Sequence, residues 1–212
     1  MFHIVLLEPE IPANTGNIGR TCLVTGSHLH LIEPMGFILN DRNLKRAGMD
    51  YWKDVQVTRY DSWRDFVWKN AELIDFPEET LRSSGYPGPA MSAVSEEENP
   101  VCASGQKACL SGQTVCASGQ KARIWMATTK ARKTHDQADF RDGDYLLFGK
   151  ESAGIPEEIL LENRETCIRI PMAHEQRSLN LSNSAAIVLY EALRQNHYPG
   201  LELAGNLHHH SW

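Results

Sequence analysis

Long apolar runs are missing from this chain. No stretch approaches the roughly 20 residues that a membrane-crossing helix needs, and the opening MFHIVLLEPEIP has neither a basic region nor a small-residue cleavage site. A cytoplasmic protein with no membrane partner is the expectation. An excess of positive charge is also missing, the formal net charge being −6. That balance does not exclude a nucleic-acid partner, because binding depends on a local patch rather than on the sum. Five cysteines, an odd number with no secretory signal, exclude a disulfide scaffold. Cys102, Cys109 and Cys116 recur at a spacing wider than zinc sites use and have no neighbouring histidine to complete a set, so no metal site is expected there.

Several catalytic signatures are absent as well. No G-x-G-x-x-G follows the first apolar segment, so a dinucleotide fold has no local support, and GQKA lacks the spacing of a phosphate-binding loop. Ser178, Ser182 and Ser184 have no G-x-S-x-G context, and the histidines are scattered along the chain, which leaves hydrolase chemistry without a nucleophile. With 42% hydrophobic and 23% charged residues, the composition is that of a globular protein rather than a disordered regulator, and 212 residues suffice for one substantial α/β domain.

What is present reads as alternating strands and helices. Phe2 to Leu7 is a buried strand ended by Glu8-Pro9, and PEIPANTGNIGRTCLVTG is a turn followed by a helix with apolar residues at Ile18, Cys22 and Leu23 that stops near Gly26. Asn14 and Thr15 read first as caps of that helix. Leu29 to Ile32 is a second strand, giving the opening of a parallel sheet with helices on its faces. DRNLKRAGMDYWKD reads as a short helix and loop, VQVTRY as a strand, and DSWRDFVWKN as a helix capped by Asp61 whose Trp63, Phe66 and Val67 face the core. Ile124 to Ala127, Tyr145 to Phe148 and ETCIRIPM are further strands, and a final helix spans about Ser182 to Gln195 with Ala186, Val188 and Leu189 on its apolar face.

The stretch 77–122 breaks this rhythm with SSGYPGPAMS, SEEENP and two identical copies of VCASGQKA at 101–108 and 115–122. Two copies cannot stack into a solenoid. The expectation is a single domain over 1–200, a low-complexity surface insertion over 77–122 and a flexible tail over 201–212, whose adjacent histidines carry no metal.

Three loops each follow a predicted parallel strand: TTK at 128–130, GKESAG at 149–154 and IPMAHEQRSLNLS at 170–182. Ligands of open α/β sheets bind at such strand ends, so these loops are expected to share one polar pocket. Gly149 and Gly154 permit close backbone approach or positive φ. Arg20 is a donor to a phosphate or a developing alkoxide, or else a helix-surface cation.

EPEIPANTGNIGR, HLIEPMGF, LLFGKESAGIP and IRIPM with RSLNLSNSAAIVLYEALRQ closely resemble the SPOUT-class tRNA 2′-O-methyltransferases, within them the group that modifies the wobble nucleotide of leucine tRNAs, a cytidine or modified uridine at position 34. The resemblance covers about 1–75 and 123–200. It implies an α/β-knot fold, a mostly parallel sheet with helices on both faces and a C-terminal trefoil knot. It further implies S-adenosylmethionine as cofactor, a transfer RNA anticodon stem-loop as partner, an obligate homodimer joined through the first and final helices, and no metal, since the sulfonium is already a strong methyl donor. Carried over by position, Ala127, Thr128, Gly149, Ile170, Ser178 and Leu179 contact the cofactor. Arg20 activates or positions the ribose hydroxyl, with Glu151, Asn14 and Asn180 as further catalytic candidates, and Arg42, Lys45, Arg46, Lys130, His135 and Arg177 contact RNA. An arginine stays protonated, so Arg20 is expected to stabilise an alkoxide rather than remove a proton.

Three departures from the family pattern stand out besides the insertion: Lys150 replaces a proline in FGPE, Leu179 a methionine in MNLS, and Gly19 an isoleucine in NIIR, where glycine inside a helix costs about 1 kcal/mol. Two other readings remain at this point: 2′-O-methylation of a different tRNA or ribosomal RNA nucleotide, and a non-catalytic RNA-binding protein with a degraded cofactor site.

Overall fold

The computed structural model describes residues 1–38, 50–88, 120–174 and 176–210. Seven strands form one sheet, β1 (His3–Leu7), β2 (His28–Ile32), β3 (Val57–Tyr60), β4 (Ile124–Ala127), β5 (Lys133–Thr134), β6 (Tyr145–Phe148) and β7 (Cys167–Arg169), in the order β3-β2-β1-β6-β4-β7-β5. Every pairing within it is parallel. Among the described residues five α-helices connect and cover the strands: α1 (Pro12–Thr25), α2 (Trp63–Asn70), α3 (Glu78–Ser83), α4 (Glu157–Glu162) and α5 (Leu181–Gln195).

Strands of a parallel sheet are apolar on both sides because helices cover both faces. In β1 the period of two sends Ile4 and Leu6 to one face, where they meet Ile18 and Cys22 of α1 and Ala185, Val188, Leu189 and Ala192 of α5. Val5 and Leu7 point the other way, into a second core with Phe66 and Val67 of α2 and Leu160 of α4. The predicted α/β class with helices on both faces is therefore what forms.

Local details differ from the sequence reading. Asn14 and Thr15 do not cap α1: it starts at Pro12, Ile11 is the N-cap without a side-chain bond, and both residues are buried inside the first turns. Proline at the first position, with its φ preset and no N–H to satisfy, begins the helix earlier than the asparagine signal suggests. The cap of α2 is Ser62, which accepts from the Asp65 backbone N–H, not Asp61. On α5 it is Ala185, not Ala186, that is buried with Val188 and Leu189. β5, two residues on the sheet edge, had no legible pattern.

The stretch from residue 77 is not all insertion. Residues 78–83 form α3, Thr80 is buried, and the Asn163 amide donates to its hydroxyl at 3.0 Å. At the far end Ala122 bridges Ile74, so the chain leaves and re-enters the body at one place. Residues 89–119, with Cys102, Cys109 and Cys116, lie outside the described residues.

Candidate active site

At the carboxyl ends of β4, β6 and β7 the three loops enclose a cavity of about 600 Å³, a size that suits a nucleoside-bearing small molecule. Ala127, Thr128 and Lys130 line it from the first loop, Gly149 to Gly154 from the second, and Ile170, Arg177, Ser178, Leu179 and Asn180 from the third. Ile11 and Asn14 close the side next to α1. All six residues expected to hold a cofactor thus share one wall.

Gly149 is required by geometry: a Cβ there would stand 2.1 Å from the carbonyl carbon of Gly154. The loop folds back on itself, Gly154 N–H donating to the Lys150 carbonyl at 2.8 Å, and Gly154 takes a φ of 72°, which glycine adopts without strain. Three side chains tie this turn to the segment between β1 and α1. The Lys150 ammonium pairs with Glu8 at 2.8 Å, which raises its pKa. Ser152 donates to Glu10 through its backbone N–H and its hydroxyl, lowering the Glu10 pKa. The Glu151 carboxylate accepts from the backbone N–H groups of Glu10 (2.9 Å) and Ile11 (3.3 Å) and from the Asn14 amide (2.9 Å).

Glu151 thereby supplies, from another loop, the acceptors that α1 lacks at its own N-terminus, where the helix dipole favours a carboxylate. The network continues: Asn180 donates from its amide to Asn14 Oδ1 at 2.9 Å, while its own Oδ1 caps α5 by accepting from Ser182 and Asn183. Asn14, Glu151 and Asn180, called together from the sequence as catalytic candidates, form one chain of hydrogen bonds that locks two of the cavity loops onto α1.

Arg20 stands apart from the cavity. It lies six residues after Asn14, about 9 Å along α1, on an exposed part of the helix, with its guanidinium 5.4 Å from the centre of the Tyr51 ring. The Tyr51 hydroxyl donates to the Gly16 carbonyl at 2.9 Å, and burial raises its pKa. Gly19 has its explanation here, because a Cβ on it would meet the Trp52 ring at 2.5 Å. The helix-propensity cost admits an aromatic neighbour. Sequence reasoning missed Tyr51 and Trp52, which belong to a short 3₁₀ turn, Asp50–Asp54, with no pattern tying it to α1.

The RNA candidates are dispersed. Lys130 lies on the cavity rim and pairs with Glu157 at 2.6 Å, and Arg177 lines the cavity from an exposed position. His135 sits in a 3₁₀ turn after β5, outside the cavity lining. Arg42, Lys45 and Arg46 lie outside the described residues.

Known proteins resemble this chain in sequence and in fold. The model of the SpoU rRNA methylase family matches residues 1–79 and 110–190, stepping over much of the repeat-bearing stretch. The chain is 40% identical over 204 residues, 96% of its own length and 99% of the relative's, to the tRNA (cytidine(34)-2′-O)-methyltransferase of Escherichia coli K12. A solved structure concerned with 2-OH methylation of C/U34 on tRNA is 34% identical with a TM-score of 0.63, covering 93% of this chain and 97% of that one. At 20% identity and a TM-score of 0.61, a SpoU methyltransferase of Streptomyces viridochromogenes in complex with AdoMet shares the fold, with 92% of this chain and 60% of that one covered.

Proposed function

The chain belongs to the SpoU rRNA methylase family, and from that premise we propose that it transfers the methyl group of S-adenosylmethionine to the ribose 2′-hydroxyl of nucleotide 34 in leucine tRNAs. The observation that carries this reading is the single cavity built from all three strand-end loops and pinned by Glu151, Asn14 and Asn180. Its residues fit the cofactor: Gly149, whose missing Cβ lets the loop fold back against the Gly154 backbone, lines the cavity together with Ala127, Thr128, Ile170, Ser178 and Leu179. When bound, S-adenosylmethionine supplies a sulfonium-activated methyl that needs no metal and no covalent enzyme intermediate.

Held there, the cofactor would supply its methyl to the ribose 2′-oxygen and depart as the thioether, and the hydroxyl proton would pass to solvent or to a neighbouring phosphate. Arg20 stabilises the developing negative charge on that oxygen through its guanidinium donors and positions it. Glu151 and Asn14 hold the cofactor loop against α1, and Asn180 holds the closing loop. Lys130, Arg177 and His135, with Arg42, Lys45 and Arg46, bind the phosphates of the anticodon stem-loop.

The working form is a homodimer joined through α1 and α5, whose outward faces carry the exposed apolar side chains Val24, Ile187 and Tyr190. The pairing brings Arg20 of one protomer toward the cavity of its partner, which accounts for its distance from the cavity of its own chain. The C-terminal part threads as a trefoil knot, the domain runs over 1–200, and the enzyme acts in the cytoplasm.

The test is incubation with labelled S-adenosylmethionine and tRNA lacking wobble ribose methylation, followed by nuclease mapping and mass spectrometry. Label on the nucleotide-34 ribose of leucine tRNAs is expected. Label elsewhere would keep the reaction and discard the substrate, and cofactor binding without label would favour a non-catalytic RNA-binding protein.

A further inference from the structure

At the opposite end of the sheet from the cavity, three histidines that are scattered in the sequence come together. The parallel register pairs His3 of β1 with His28 of β2, and His30, two residues along β2, projects from the same face. One nitrogen from each lies within 4.8 Å of the others. His3 and His30 are buried, and His28 is half-buried. We propose that His3, His28 and His30 form a binding site for a single divalent transition-metal cation of the zinc class, a structural site separate from the methyl-transfer centre.

The outer nitrogens are already engaged as they are in metal sites, where a second-shell partner fixes the tautomer and turns the other nitrogen inward. His30 Nδ1 lies 3.0 Å from the Tyr60 hydroxyl, and His28 Nε2 lies 2.8 Å from the Thr58 hydroxyl. Both hydroxyls come from β3, so they orient the rings from a third strand. With His30 Nδ1 donating to Tyr60, the lone pair of His30 Nε2 faces His3, and His28 is also hydrogen-bonded to the Gln56 side chain, a contact that a bound cation would displace. The third ligand, His3 Nδ1, stands 3.0 Å from His30 Nε2, and the rings are held by stacking of His3 on Tyr145 at 4.2 Å and the edge of Phe66 against His30.

Two imidazole nitrogens on one tetrahedral zinc, each about 2.05 Å from it, stand about 3.3 Å apart. A separation of 3.0 Å is a shared proton; widening by a few tenths of an ångström exchanges that proton for the cation. The exchange balances as a change of tautomer: His3 Nδ1 gives up its proton while Nε2 takes one from solvent, so three neutral imidazoles bind with no net proton release, and a water entering past half-buried His28 takes the fourth position. Three neutral nitrogens suit zinc or cobalt rather than calcium or magnesium, which require oxygen ligands.

The experiment uses the full chain with His208→Ala, His209→Ala and His210→Ala, so that three adjacent exposed histidines do not compete for the added cation. The chelator-treated protein is titrated with Co²⁺ and then Zn²⁺, following visible absorption and thermal midpoint. The expected result is one Co²⁺ per chain with the intense bands of four-coordination, displacement by Zn²⁺, and a raised midpoint. Thr58→Val should weaken binding about 10- to 100-fold by removing the hydroxyl behind His28, and His28→Gln, at a half-buried position, should eliminate the bands. Absence of four-coordinate absorption, or binding that neither substitution alters, would overturn the site and leave a hydrogen-bonded cluster. Neither result bears on methyl transfer, which is assayed separately.

Discussion

Removing the Glu151 carboxylate tests whether this residue acts as a clamp or as a participant in the chemistry. In Glu151→Ala the Glu10 and Ile11 N–H groups and the Asn14 amide lose their acceptor. Hydrogen bonds to a charged group contribute about 1.5–3 kcal/mol each when buried. Glu151 is half-buried and Ile11 is exposed, so water re-solvates part of what is lost, and the total falls to about 2–3 kcal/mol. If that energy holds the cofactor loop closed, affinity for S-adenosylmethionine drops by about 30- to 150-fold. Glu151→Gln keeps one carbonyl acceptor and should lie between the two. Calorimetric titration gives the affinities, thermal unfolding gives the stability, and turnover at saturating cofactor should recover most of the parent rate. The clamp reasoning is refuted if Glu151→Gln binds cofactor and melts like the parent while its saturated turnover collapses.

Gly149→Ala forces a Cβ into the Gly154 backbone, so cofactor binding should fall below detection by calorimetry, whereas Ala at Gly205, in open space, should change nothing. Tyr51→Leu removes the ring beside Arg20 and the bond to Gly16; we expect turnover to drop about tenfold with unchanged cofactor affinity, on a loss of about 1.4 kcal/mol, and Tyr51→Phe to retain most activity. An equal loss in Phe and Leu variants would assign the effect to the hydroxyl. Acid stability reports the histidine cluster: His3 has a folded pKa of about 3 against 6.5 unfolded, so its contribution is complete above about pH 6.5 and is lost as pH falls toward 3. At about pH 5 the loss from His3 alone is about 2 kcal/mol, and His30 adds in the same direction. Urea unfolding at about pH 7 and about pH 5, with chelator present, should show that slope, and His3→Phe should flatten it; a parent protein equally stable at both values would contradict it.

Much of the fold was legible because buried strands of a parallel sheet are short apolar runs and the loops after them are where ligands bind. Ile124 to Ala127 and Tyr145 to Phe148 form as read, and the three loops that follow strands do converge. What escaped depends on pairing across the chain. Asn14 has the residue type of a cap, and its real place is set by Glu151, 137 residues away. Residues 78–83 sit beside low-complexity sequence, which hid a helix docked through Thr80. His28 and His30 share a strand face by simple alternation, but His3 joins them only through the β1–β2 register. Tyr51 and Trp52 follow the same logic, their partners being Gly16, Gly19 and Arg20 on α1.

The central claim, that the cavity delivers a methyl group to one ribose hydroxyl, is tested most directly with a leucine tRNA carrying 2′-deoxyribose at nucleotide 34 alone. The account predicts full labelling of the unmodified tRNA, none of the deoxy form, and competitive binding by both, because the phosphate contacts are untouched. Undiminished label on the deoxy substrate would place the methyl on another atom and contradict the account.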